Sequence, residues 1–182
     1  ARNKYRVSKP IFLEIGFPGP HPPYDPASDD LEDMGDREYP ILPVTDEELK
    51  SQPQELRDFR SHMESFPYDS VWFDAEACAE RRQRLWAHYN ANMRMIDRKI
   101  GEIMDALRSN GFLENAVVIF TSDHGDNLGD HGLSQKWNMY EQSVHVPLVV
   151  WSSGLFSGGL TVSDLCSWFD IGATILELAG LS

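Results

Sequence analysis

An aspartate and a histidine stand side by side directly after an apolar, β-branched-rich run of the sequence. The run covers residues 116–121, and Asp123, His124 and Gly125 follow it closely. In open α/β sheets, ligands bind outside the carboxyl ends of the strands. A hard carboxylate beside a borderline imidazole suits one divalent cation. Asp123 and His124 are therefore candidates for two ligands of one metal site, although the triplet alone is a weak signal. The alternative is a polar turn in which Asp123 caps the next segment.

The elements that must position this pair are predicted to be strands separated by helices. Apolar runs at residues 10–17, 116–121 and 144–151 predict buried strands. Apolar residues at three- and four-residue steps predict a long helix over 74–109 and a shorter one over 163–178. The residues of the shorter helix expected to face inward are Leu165, Trp168, Ile171, Ile175 and Leu178. This order predicts an α/β fold with a mostly parallel central sheet flanked by helices.

Two segments between the first strand and the long helix are expected to be irregular. Residues 18–26 contain too many prolines for a helix or a central strand, which predicts a stiff loop that carries His21. Residues 25–75 are acidic and weakly patterned, and they are interpreted as an insert or substrate-region loop. A short helix is predicted to begin after Thr45, because Thr45 and Glu48 have the spacing of a capping box.

Composition excludes some classes of function. The 182 residues carry a formal net charge of -13, so we expect no nucleic-acid binding, since such a surface repels phosphate backbones. No apolar run approaches the roughly 20 residues of a membrane span. The two cysteines, Cys78 and Cys166, have no metal-like spacing. Both chain ends are expected to be cut points within a longer protein, and they leave localisation and oligomeric state open.

Four blocks of the chain, in order, resemble the sulfatase family of the alkaline phosphatase superfamily. The blocks are the Pro-His-Pro-Pro-Tyr loop at 20–24, a helix with Ile96-Asp97, Ile100-Gly101 and Asn110-Gly111, the run 117–136 followed by Tyr140-Glu141 and 146–149, and the helix at 169–180. One departure is Ala173, which stands where the family usually has proline. The chain is therefore identified as part of a sulfatase-like catalytic domain that covers residues 1–182.

The resemblance implies roles for four residues. Asp123 and His124 match ligands of the catalytic cation, usually Ca²⁺, although a histidine at this position leaves Mn²⁺ or Zn²⁺ open. Lys136 matches the lysine that grips a sulfate oxygen, and its ammonium would offset developing charge. His21 matches the loop histidine near the leaving oxygen, where an imidazole can donate a proton. The alternatives are a solvated lysine and a structural loop histidine. His131, a neighbour in the same block, could simply stabilise its turn.

The family's nucleophile is not found in this chain. It is a Cys in a Cys-x-Pro/Ala-x-Arg motif, converted to formylglycine, after a strand that ends in an Asp-Asp metal pair. Neither feature precedes His21, and the family's C-terminal small domain is also not found. Residues 78–82 place Cys78 and Arg82 at the right spacing, but Glu80 replaces the usual proline, the segment follows His21, and its pattern is helical. Cys78 is therefore rejected as the nucleophile.

The resemblance thus implies a parent protein that hydrolyses a sulfate ester, with metal and formylglycine, while this chain alone is inactive. Two alternatives stay open. One is a phosphonate monoester or phosphodiester hydrolase of the same superfamily. The other is a non-catalytic fragment that acts as a folded or binding module. The particular sulfate ester is not indicated by any residue of the 25–75 segment.

Overall fold

A computed structural model of the chain describes residues 10–65 and 78–181. The elements within these ranges are α1 (Ser28–Glu32), α2 (Asp46–Ser51), α3 (Gln54–Ser65), α4 (Cys78–Ser109), β1 (Val117–Thr121), α5 (Glu141–Val144), β2 (Leu148–Ser152) and α6 (Trp168–Leu178). Short 3₁₀ turns occupy Phe112–Asn115 and Asp130–Gly132. The described residues divide into two compact units: the first contains residues 10–16, 104–123 and 148–181, and the second contains 17–65, 78–103 and 124–147.

Helix α4 confirms the long helix predicted from the apolar spacing. Its Leu85, Ala91 and Ile96 are buried in the second unit, as three- and four-residue steps require. The helix ends at Ser109. Gly111 follows with a φ of 77°, in the left-handed region that favours glycine after a helix end. The predicted residues 74–77 lie outside the described part of the chain.

The segment before α4 is partly helical, as its capping signal indicates. Helix α2 begins after Thr45, whose Oγ1 accepts a hydrogen bond from the Glu48 amide at 3.1 Å. This confirms the predicted helix start. Residues 18–26 form turns and bends without helix or strand, as the prolines predict. The described part of the second unit consists of α-helices, one 3₁₀ turn and loops.

The first unit contains the two strands, and their direction differs from the prediction. β1 and β2 pair antiparallel, with Val117 opposite Ser152 and Thr121 opposite Leu148. The prediction of parallel strands is wrong for this pair. A continuous apolar run is typical of a strand that is covered on both faces and does not by itself give its direction. The predicted burial is wrong for β2, since residues 148–151 are exposed. Nor does the length of the connection settle the direction, because residues 122–147, with the 3₁₀ turn Asp130–Gly132 and α5, are long enough to join the strands either way.

Several apolar residues of the first unit lie on its surface. Residues 10–17, predicted as a buried strand, have no regular secondary structure, and Phe12 is 68% exposed. Helix α6 begins at Trp168, later than predicted. Trp168 and Leu178 are exposed, as is Leu165 before the helix. These predictions of burial are wrong for the described chain, because an apolar stripe is buried only where another surface packs on it. Ile171 and Ile175 of α6 are half-buried. No helix within residues 10–65 and 78–181 is long and apolar enough to span a bilayer.

Candidate active site

His21 and Lys136 meet in the second unit, although 115 positions separate them in the sequence. The Lys136 Nζ lies 2.7 Å from the His21 Nε2. The other ring nitrogen, Nδ1, lies 2.8 Å from the Pro22 carbonyl oxygen. Because a carbonyl only accepts, Nδ1 carries the hydrogen of a neutral His21. The lone pair is then on Nε2, where it accepts a hydrogen bond from the Lys136 ammonium.

His124 is the third predicted residue in this cluster. Its ring centroid lies 6.3 Å from that of His21, with the two rings edge to face. Its Nδ1 donates to the Gly125 carbonyl oxygen at 2.7 Å, so Nε2 is the nitrogen whose lone pair a metal ligand would use. Histidines that bind metals commonly hold their other nitrogen in such a hydrogen bond. The chemistry of His124 therefore fits a metal ligand.

Asp123 directly precedes His124 in the chain but belongs to the first unit. It is exposed, and it follows the end of β1 at Thr121 by two positions. Within residues 10–65 and 78–181, no group of three or more His, Cys, Asp or Glu side chains could hold a metal ion. The metal role of both residues stays a prediction.

Gly125 is required by close packing in the loop that begins at His124. Its amide donates to the Ser143 carbonyl oxygen at 2.9 Å. A Cβ at position 125 would lie 1.9 Å from the Gln142 carbonyl oxygen. Gly125 thus allows the backbone after His124 to lie directly against α5.

Two residues without a predicted role, Tyr24 and Asp126, connect the loops that carry the site. The Tyr24 hydroxyl donates to the Asp126 Oδ2 at 2.7 Å. Burial, and secondarily the charge of Asp126, raises the pKa of Tyr24 above its usual value, so the phenol keeps its proton and remains a donor. Both residues lie in the sequence blocks that carry the resemblance. Their residue types alone gave no signal for this pairing.

Two further histidines have structural contacts. His88, for which the sequence offered no motif, donates from Nδ1 to the Tyr24 carbonyl oxygen at 2.9 Å. His131 lies 2.6 Å from the Glu48 carboxylate and stacks on the ring of Tyr140 at 3.9 Å between centroids. These contacts support the interpretation that His131 stabilises its turn and connects it to α2.

Comparison with known proteins identifies the class to which this arrangement belongs. The Sulfatase family model matches residues 2–181. The chain therefore belongs to the sulfatase family.

Similar proteins include two named sulfatases and one solved structure. The chain is 32% identical to choline-sulfatase of Rhizobium meliloti (strain 1021) and 30% identical to arylsulfatase K of Bos taurus, each over 96% of this chain. The matches cover 32% and 33% of those proteins, so the chain spans about a third of their length. A solved structure of BT4656 in complex with its substrate D-glucosamine-2-N,6-O-disulfate aligns with a TM-score of 0.56 and 27% identity, over 74% of this chain and 28% of that one.

Proposed function

We propose that the protein containing this chain is a sulfuric ester hydrolase whose substrate is a sulfate ester. The contact between His21 and Lys136 carries the proposal. It joins two residues that match separate sulfatase blocks, and it places an ammonium beside an imidazole on an exposed surface. A fixed cation of this kind binds an oxyanion. It is also a local exception in a chain whose formal net charge is -13.

Lys136 would bind the sulfuryl group, and His21 would protonate the leaving oxygen. An entering sulfate oxygen would replace His21 Nε2 as the acceptor of the Lys136 ammonium, because a charged acceptor forms the stronger hydrogen bond. That exchange releases Nε2. Since the Pro22 carbonyl oxygen already accepts from Nδ1, Nε2 is the nitrogen that would take up a proton from water and then donate it to the departing alkoxide.

The remaining parts of the proposed mechanism depend on groups beyond these two residues. Asp123 and His124 would contribute two ligands to a divalent cation, with Ca²⁺ as the first candidate and Mn²⁺ or Zn²⁺ as the others. Such a cation would offset negative charge on the sulfuryl oxygens. A formylglycine outside this chain is proposed as the nucleophile, so the chain alone would not turn over a sulfate ester.

The exposed apolar residues of the first unit support a proposal about the fold of the whole protein. β2 presents Val149 at 55% and Trp151 at 40% exposure, and Phe12 is also exposed. We propose that the parts of the catalytic domain outside this chain cover these residues and extend β1 and β2 into a larger, mostly parallel sheet. Hydrogen exchange should then show slower exchange of the β2 amides in the whole protein than in the isolated chain.

Activity of the whole protein tests the function. The substrates are an aryl sulfate, an aryl phosphonate monoester and an aryl phosphodiester, each after chelation and after addition of Ca²⁺, Mn²⁺ or Zn²⁺. We expect the highest kcat/KM with the sulfate, loss of turnover on chelation, and recovery with one of the three cations. Preference for the phosphonate or the diester would favour the other hydrolase class, and no turnover of any substrate would favour a non-catalytic module.

Substitutions connect that activity to the site. Lys136→Ala and His21→Ala should each lower kcat/KM for the aryl sulfate by roughly 10²–10³-fold, the range measured for single charge-stabilising or proton-transferring groups. Lys99→Ala is the matched control, because Lys99 lies on the exposed surface of α4 and pairs with Glu102 at 2.9 Å. Full activity in Lys136→Ala would contradict the assignment.

A further inference from the structure

One carboxylate, that of Asp126, holds the two segments that carry His21 and Lys136. Its Oδ2 accepts the hydroxyl of Tyr24 at 2.7 Å. Its Oδ1 accepts the backbone amides of Leu128 at 2.9 Å and Gln135 at 3.1 Å. Each interaction of a charged acceptor with a donor is stronger than one between neutral groups. Asp126 is therefore a strong connection between the loop at 18–26 and the loop at 124–136.

The two amides that Asp126 holds belong to residues in an unfavourable backbone conformation. Leu128 has a φ of 47° and Gln135 a φ of 62°. Residues other than glycine rarely adopt such angles, and they do so only where the surroundings enforce them. Gln135 directly precedes Lys136, so its backbone conformation sets the direction in which the chain enters Lys136. Asp126 thus contributes to the placement of the Lys136 side chain.

The other end of the connection lies three positions after His21. The backbone carbonyl of Tyr24 accepts from His88 on α4, and the Tyr24 ring packs edge to face on Tyr89, with 6.2 Å between centroids. The Tyr24 hydroxyl therefore reaches Asp126 from a residue that is held on both its backbone and its ring. Pro22 and Pro23 restrict the backbone between His21 and Tyr24. A fixed Tyr24 therefore limits where the His21 imidazole can lie.

We propose that Asp126 and Tyr24 are positioning residues that together set the separation of His21 Nε2 and Lys136 Nζ for a sulfate oxyanion. This inference rests on the proposed function for the identity of the anion. The geometric part, that Tyr24 and Asp126 maintain the His21–Lys136 contact, stands without it. A displacement of about 1 Å in a reacting group can lower a rate by about 100-fold. Two side chains that touch no substrate can thus control turnover.

The test uses three substitutions, a control and a His21→Ala background in the whole protein. Tyr24→Phe removes one hydroxyl, and Asp126→Ala removes all three acceptor contacts. Asp126→Asn keeps the shape and one acceptor oxygen for the two amides, so it is the conservative variant. Tyr39→Phe is the control, because the Tyr39 hydroxyl contacts the Met34 sulfur at 3.5 Å. The measurements are kcat and KM for an aryl sulfate, the inhibition constant of inorganic sulfate, and the Nε2–Nζ distance in crystal structures.

We expect Tyr24→Phe to lower kcat by about tenfold or more with little change in KM, because it releases the His21 loop. Asp126→Ala should also weaken inhibition by sulfate about tenfold or more, since it releases the backbone before Lys136. Asp126→Asn should restore sulfate inhibition to within about threefold of wild type. In a His21→Ala background, Tyr24→Phe should have less than about a twofold further effect, because the group that it positions is gone.

Two results would overturn the proposal. One is an equal loss of kcat from Tyr24→Phe with and without His21, which would show a general structural effect. The other is an Nε2–Nζ distance that stays near 2.7 Å in both Tyr24→Phe and Asp126→Ala. If the wild-type protein hydrolyses no sulfate ester, the proposed function fails, and the crystallographic distance alone still decides whether these residues position the pair. If Asp126→Ala does not fold, Tyr24→Phe decides the question.

Discussion

Gly125→Ala is expected to disrupt the site through a steric contact with the main chain. The added Cβ would lie 1.9 Å from the Gln142 carbonyl oxygen and 3.0 Å from its carbon. Real Cβ atoms essentially never approach a heavy atom closer than 3.0 Å, so the contact with the oxygen must open by about 1.1 Å. The obstacle is backbone and not the end of a flexible side chain, so rotamer changes cannot relieve it.

The structure allows an estimate of the cost of Gly125→Ala. Forcing an extra carbon into a close-packed place costs about 1–3 kcal/mol. Moving α5 away also weakens the hydrogen bond from the Gly125 amide to the Ser143 carbonyl, whose length is 2.9 Å, at about 0.5–1.5 kcal/mol. We therefore expect a loss of roughly 2–4 kcal/mol in the free energy of unfolding. Since His124 is the preceding residue, kcat/KM for an aryl sulfate should fall by about 100-fold.

Gly101→Ala supplies the matched control for this prediction. Gly101 lies inside α4 and is exposed, and a Cβ added there would have open space around it to at least 4 Å. Alanine is the better helix former, so Gly101→Ala should raise the free energy of unfolding by about 0.5–1 kcal/mol. Urea unfolding and steady-state kinetics of the whole protein measure both effects. The packing argument would be refuted if the free energy of unfolding of Gly125→Ala lay within about 0.5 kcal/mol of wild type and its kcat/KM were unchanged.

Three other predictions concern stability and the rejected nucleophile. Hydrogen bonds from Arg98 hold the pKa of Asp30 below its usual value, so this pair stabilises the fold above about pH 4 and its contribution is lost as the pH falls through the folded-state pKa. Arg98→Gln should lower Tm at pH 7 and lower it less at pH 3, and an equal decrease at both would contradict the pairing. Arg82→Ala should cost about 3–5 kcal/mol in urea unfolding, because the Arg82 side chain is 2% exposed in its ion pair. Arg94→Ala, whose side chain is 44% exposed in its pair, should cost less than about 1 kcal/mol, and similar values for both would count against the role of burial. Cys78→Ser should leave kcat with an aryl sulfate unchanged, because Cys78 begins α4 and is not the proposed nucleophile; abolished turnover would restore it as a candidate.

The elements that local chemistry determines were predictable from the sequence. Helix α4 follows from its three- and four-residue spacing, α2 from the cap at Thr45, and the left-handed turn after α4 from Gly111. The positions of β1 and β2 followed from their apolar runs, but their antiparallel pairing did not. An apolar run identifies a strand that requires cover on both faces, which the described chain does not give β2, and the run does not encode the direction of pairing.

Burial of the apolar residues in the first unit depends on atoms that the described chain does not supply. The pattern of α6 is amphipathic, yet Trp168 is 53% and Leu178 is 48% exposed. Periodicity identifies the face of a helix that requires a partner surface, and it cannot provide that surface. The relatives that this chain matches are about three times as long, which agrees with a core that other parts of the protein complete.

The proximity of His21 and Lys136 was expected only because their blocks resemble a family, and its physical cause lies elsewhere in the sequence. Propensity would not place Leu128 or Gln135 in the left-handed region, because both residues carry side chains that disfavour it. The Asp126 carboxylate holds their amides there, and it also reaches Tyr24, 102 positions away. No local pattern encodes a contact over that separation. A sequence therefore indicates which residues have the chemistry for a sulfate site, while a side chain outside the predicted site determines how closely they approach.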